Sequence, residues 1–286
     1  MASITLEELH TYHAIDREIF SRLVVTLMRD PAESLLVMAT WLWLEEKGYP
    51  NMILKMIKLS DQLVNALADE AALCLKCLES NSLPVNGSIA ITIPLTARVM
   101  ERNISLEMFY QNKFSAISGI KNFLNTVCSR IFTDILQCVL ASGSSTQAVN
   151  PNQQQQALVI PGFPHPLFGG VNIMPRSIDF DFPTGGLWGW DPVNNVSEDD
   201  RTMFLTFSRG FPVTKEEVTQ LFTRLHGDCV VSVQMQENVP SNEQPLFARM
   251  ILDSIASVDR ILNGRRIAKF RINGKHIWAR KYERRD

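Results

Sequence analysis

Apolar and polar positions change their period repeatedly along the last third of the chain. Met203-Phe204-Leu205-Thr206-Phe207 alternates with the pleat of a strand, so Met203, Leu205 and Phe207 share one face while Phe204, Thr206 and Ser208 share the other. The turn Arg209-Gly210-Phe211-Pro212 follows. Val218, Leu221, Phe222 and Leu225 then recur at three- and four-residue spacing, with Thr214 as N-cap and Glu217 three residues on, which predicts a helix. The β-branched run Cys229 to Met235 and the run Leu246 to Leu252 predict two more strands around the polar loop Gln236 to Gln244. Ser254 to Leu262 predicts a second helix ended by Asn263-Gly264. Ile267 to Ile272, the turn Asn273-Gly274, and His276 to Tyr282 predict a closing hairpin. The order is β-α-β-β-α-β, with both helices on one face of a four-stranded sheet.

From Thr5 to about Ala141 the signals are helical. Thr5 and Glu8 form a capping box, and Ile15, Ile19, Leu23, Val24 and Leu27 recur at helical spacing. Asp30-Pro31 starts a second helix that is apolar nearly all round from Ser34 to Trp43, which places it at the centre of a bundle. Trp41 and Trp43 are therefore expected in the core. Further helices are predicted over Met52 to Leu59, Asp61 to Glu79 and Ser105 to Val139, the last as one helix or as two parted at Ser118-Gly119; Pro84 to Thr96 reads as a loop or short extended piece. The expected fold class is α+β, an all-α helical domain over 1–141 followed by a β-α-β-β-α-β domain over 201–286.

Between them, 142–200 changes composition to Ser, Gly, Asn, Gln and Pro, which predicts a flexible linker. Its later part alternates at Ile178-Asp179-Phe180-Asp181-Phe182 and carries Trp188 and Trp190, a stretch expected to pack against one of the domains.

The carboxy-terminal order resembles the RNA recognition motif (RRM), a ferredoxin-like family. In that family bases stack on aromatic side chains of the central strands. Phe204 matches the aromatic of the family's first short motif. The second motif corresponds to Pro245-Leu246-Phe247-Ala248-Arg249-Met250-Ile251-Leu252, where Phe247 and Ala248 fit, while Pro245, Leu246, Arg249 and Leu252 replace the basic residue, the glycine and two aromatics. The resemblance implies single-stranded RNA on the open sheet face, with Phe204 and Phe247 stacking bases and Trp278 as a third platform. Arg249, Arg280 and Lys281 would contact backbone or base edges. Alternation from Ile277 puts His276, Trp278 and Arg280 on that face. Eroded motifs also suit the alternative, an adaptor whose sheet binds protein.

Charge changes the picture moderately. Residues 201–286 hold 15 Lys and Arg against 9 Asp and Glu, a surplus of 6, whereas the whole chain stands at −2. Residues 1–141 hold 12 against 15, a deficit of 3, and offer no basic stripe. Positive charge gathered in one domain is what phosphate contact requires.

The region around Ala14 to Leu23, Arg29 to Ser34 and Trp41 to Glu45 resembles an uncharacterised plant family that joins such helices to a carboxy-terminal RRM-like domain. That resemblance brings no activity with it. The helical domain is expected to bind a protein partner or to self-associate.

Chemistry is sparse. Five cysteines spread over the chain do not make a disulfide framework, and Cys74-Leu-Lys-Cys77 lies in a helical pattern without a second pair or nearby histidine. His10, His13, His165, His226 and His276 are scattered, and no phosphate loop, zinc-protease or nucleophile-elbow motif occurs. No catalysis, no metal and no cofactor is expected. The start lacks a basic region followed by a long apolar core, and Leu35 to Leu44 is too short to span a bilayer, so an intracellular protein of nucleus or cytoplasm with no membrane partner is expected.

Overall fold

A computed structural model describes residues 5–49, 51–80, 92–102, 104–143, 158–173, 196–237, 239 and 243–284. The protein is α+β, with an amino-terminal helical region and a carboxy-terminal five-strand antiparallel sheet. It divides into two compact units. The first takes in the described residues of Met1–Ser80, Pro84–Leu106 and Gly119–Trp190; the second joins Glu107–Ser118 to the described residues of Asp191–Asp286. The expected division at 141 and 201 differs from this one, because Glu107–Ser118 clusters with the sheet and residues 158–173 with the helices.

The helical region contains α1 (Leu6–Tyr12), α2 (Ala14–Ser21) continued by a π-helical turn (Arg22–Thr26), α3 (Pro31–Glu46), α4 (Met52–Ile57) and α5 (Asp61–Glu79). It continues through α6 (Pro94–Met100), α7 (Leu106–Gln111), α8 (Lys113–Phe123) with a second π-helical turn (Leu124–Cys128), α9 (Ser129–Ile131) and α10 (Thr133–Gly143). The Thr5 and Glu8 capping box forms, and the Asp30 carboxylate accepts from the Glu33 N–H at 2.8 Å with Pro31 in the first turn of α3. Every residue of α3 from Leu35 to Leu44 is buried, Trp41 and Trp43 among them. Cys74 and Cys77 are buried thiols on α5, and burial pushes the Cys74 thiol above its ordinary pKa.

Two expectations change here. Gly119 lies inside α8 and does not break it. A Cβ there would sit 2.2 Å from Trp43 Cδ1, so glycine serves close approach of the indole. Of the stretch expected as loop or short extended piece, residues 84–91 lie outside the described residues, whereas Pro94–Thr96 forms the first turn of α6, where the Glu70 carboxylate accepts from the N–H groups of Leu95 and Thr96 at 2.9 and 2.7 Å.

Within the expected linker, residues 158–173 are packed. Ile160, Phe168 and Ile173 are buried, Leu158 N–H donates to the Ile173 carbonyl, and His165 and Gly169 exchange both backbone bonds. Composition suggested loose chain, but these three spaced apolar side chains are taken out of water. Trp188, Trp190 and Ile178 to Phe182 lie outside the described residues.

The sheet unit runs β1 (Thr202–Phe207), α11 (Lys215–His226), β2 (Val230–Met235), β3 (Phe247–Leu252), α12 (Ile255–Leu262), β4 (Ile267–Ile272) and β5 (Lys275–Lys281). The strands lie in the order β2-β3-β1-β5-β4. The expected count of four becomes five because the closing hairpin adds both its arms: Asn273 and Gly274 take φ of 48° and 81°, the two positive angles of a tight hairpin turn, and fold β4 back on β5. Met203, Leu205 and Phe207 of β1 meet Val218, Leu221 and Phe222 of α11 and Val258, Ile261 and Leu262 of α12 in one core. Each such side chain stabilises the unit by roughly 1.5–3 kcal/mol when fully buried.

Segment 107–118 completes this unit. The buried Asp259 carboxylate on α12 accepts from the N–H groups of Phe114 and Ser115, both at 2.9 Å, and from the Ser115 hydroxyl at 2.6 Å, capping the start of α8. Burial outweighs these bonds and raises the Asp259 pKa to about 6. Among the described residues no single helix is long and apolar enough to cross a membrane.

Candidate functional site

Strand alternation leaves one sheet face without core side chains, and the register decides what stands on it. One row crosses all five strands as Gln234, Arg249, Phe204, Arg280 and Ile267. The next holds Phe247, Thr206, Trp278 and Lys269, and a third pairs His276 with Arg271. Aromatic and cationic side chains therefore interleave across these rows, and none of the residues in them is acidic.

Phe204 and Phe247 lie in offset stacking, with ring centroids 5.4 Å apart and planes inclined by 22°. Phe247 is 37% exposed. The Arg280 guanidinium carbon sits 4.7 Å from the Phe204 centroid, and the Lys269 ammonium 5.5 Å from that of Trp278. His276 is tilted against Trp278 at 5.9 Å between ring centroids.

Arg249 is the most constrained cation on the face. Its Nε and Nη2 donate to Gln234 Oε1 at 3.3 and 2.8 Å, and its Nη1 donates to the Tyr282 hydroxyl at 3.3 Å. The guanidinium also lies 5.3 Å from the centre of the Tyr282 ring.

The structure brings together Phe204, Phe247, Arg249, Trp278 and Arg280, but not Lys281. Lys281 pairs across from Met203, on the core side of the pleat, and its ammonium donates to the carbonyls of Asp199 and Tyr282. Burial lowers its pKa, against the pull of Asp200 and Asp199. Adjacent strand residues point to opposite faces, so Arg280 and Lys281 could not both stand beside Phe204. Gln234 and Tyr282 are the partners that sequence reasoning missed. Parity marks each as outward only once the pairing register is known, and no local signal gives that register.

Among the described residues no group of three or more His, Cys, Asp or Glu side chains is placed to hold a metal ion. Comparison with family models, with curated proteins and with solved structures returned no match.

Proposed function

We propose that the sheet unit is an RRM-like, ferredoxin-like domain that binds single-stranded RNA on its open face and performs no catalysis. The observation that carries this reading is the pair of rows around Phe204 and Phe247. Two stacked rings stand on adjacent central strands, with Trp278 one strand further and Arg249, Arg280, Lys269 and Arg271 between and beyond them. Stacking on such rings tolerates any base because every base has a π-face, and the cations answer the phosphates. The element order β-α-β-β-α-β-β, which adds a hairpin arm to the expected β-α-β-β-α-β, and the place of β1 and β3 side by side inside the sheet support this reading.

A protein ligand on the same face is the competing reading. Fluorescence anisotropy of the full chain with labelled random-sequence single-stranded RNA separates the two. Under the proposal binding weakens steadily as salt rises, because cations are released from phosphate, and Phe247→Ala weakens it further. Absence of salt-dependent binding to any RNA pool would remove the proposal.

A further inference from the structure

Arginine carries five N–H donors. In Arg249 three are engaged, two by Gln234 Oε1 and one by the Tyr282 hydroxyl, so one N–H on each Nη has no partner among the described residues. Gln234 comes from β2, and Tyr282 lies just past β5, with its own N–H bonded to the Thr202 carbonyl. The guanidinium is held in one plane from two sides. Since Gln234 has spent its Oε1 on Arg249, this corner of the face presents donors, and it suits a ligand edge with two adjacent acceptors.

Position on the sheet distinguishes a base edge from a phosphate. Arg249 is the direct cross-strand partner of Phe204 and stands two residues from Phe247 on the same strand face, which puts it beside a base lying flat on either ring. Arg280, on the other flank of Phe204, has one hydrogen bond among the described residues, to the Lys281 carbonyl at 3.1 Å. That side chain is the freer one and fits the variable position of a phosphate. A guanidinium fixed before binding loses little entropy on meeting two acceptors at once. Among the bases, guanine offers N7 and O6 side by side, whereas adenine sets an amino donor beside N7.

We infer that Arg249, oriented by Gln234 and Tyr282, reads the O6/N7 edge of a guanine stacked on the Phe204 and Phe247 pair. This rests on the RNA reading above and assigns that face a base preference. Gln234 and Tyr282 are positioning residues, acting through Arg249.

The test uses the full chain and uridine octamers carrying one central guanosine, 7-deazaguanosine, adenosine or cytidine. Guanosine is expected to bind about 10-fold tighter than adenosine, within the range of one bidentate pair, and 7-deazaguanosine to lose most of that gain. Arg249→Lys, which keeps the charge, and Gln234→Ala are expected to bring the guanosine, 7-deazaguanosine and adenosine octamers to equal affinity. Cytidine equal to guanosine, or 7-deazaguanosine equal to guanosine, would overturn the assignment of the edge. Uniform loss across all octamers on Arg249→Lys would show a phosphate contact and overturn it while leaving RNA binding intact. No binding to any octamer would overturn both readings.

Discussion

Arg280 and Lys281 are neighbours in the chain and stand on opposite faces of the sheet. Arg280 lies over Phe204, whereas Lys281 turns to the core side and donates to the Asp199 carbonyl. Their alanine variants should therefore separate two effects. Arg280→Ala is expected to weaken RNA binding and to lower the slope of log affinity against log salt by about 1. Lys281→Ala is expected to leave affinity and slope unchanged and to lower the unfolding temperature, because the carbonyl it serves loses its donor. Titration at three salt concentrations, beside thermal unfolding, checks both; equal losses of affinity would contradict the face assignment.

Phe247→Ala should weaken RNA binding by about 1–3 kcal/mol, the worth of one stacked base. Phe207→Ala, on the core side of the same sheet, should instead cost about 3–5 kcal/mol of stability. Urea unfolding and RNA titration on both variants give the cross-comparison. Should Phe247→Ala destabilise the fold as strongly as Phe207→Ala, the ring serves packing and not ligand.

Much of the sheet unit was legible because local rules agree there. Thr214 and Glu217 form the expected capping box, Asn263 takes φ of 45° where the helix was expected to end, and the Asn273-Gly274 hairpin closes as its dipeptide demands. Long-range facts were not legible. Nothing local says that Asp259 caps Phe114, more than a hundred residues earlier, or that Gly119 yields to Trp43. The candidate face was legible by parity for Phe204 and Trp278, and by motif position for Phe247. Lys281 was named for its basic character alone, although the alternation that sets Arg280 on the face turns its neighbour to the other side.

Asp259 predicts a pH dependence with a definite sign. Its pKa rises from 3.8 to about 6 on folding, chiefly by burial. The folded chain then holds the proton more tightly than the unfolded chain, so this group's contribution is greatest below pH 4 and declines as pH rises through 6. Two pKa units correspond to on the order of 3 kcal/mol. The stability of the native chain minus that of Asp259→Asn should fall between pH 4 and 6.5 and stay level above. Urea unfolding across that range measures it, and a difference that grew with pH would mean the bonds from Phe114 and Ser115 outweigh burial.

Gly264 and Gly274 share a backbone conformation but not a neighbourhood. Their φ angles are 72° and 81°, so alanine at either costs about 1 kcal/mol of left-handed strain. A Cβ at Gly264 would also meet the Tyr110 ring at 2.4 Å, whereas one at Gly274 would meet nothing within 4 Å. Gly264→Ala should thus destabilise by about 1–3 kcal/mol more than Gly274→Ala, the usual cost of forcing atoms into a packed contact. Removing the ring tests the cause. In a Tyr110→Ala background the extra loss at Gly264 should vanish and the two glycine variants should converge, whereas a persistent gap would place the strain in the α12 terminus and not in the contact with Tyr110.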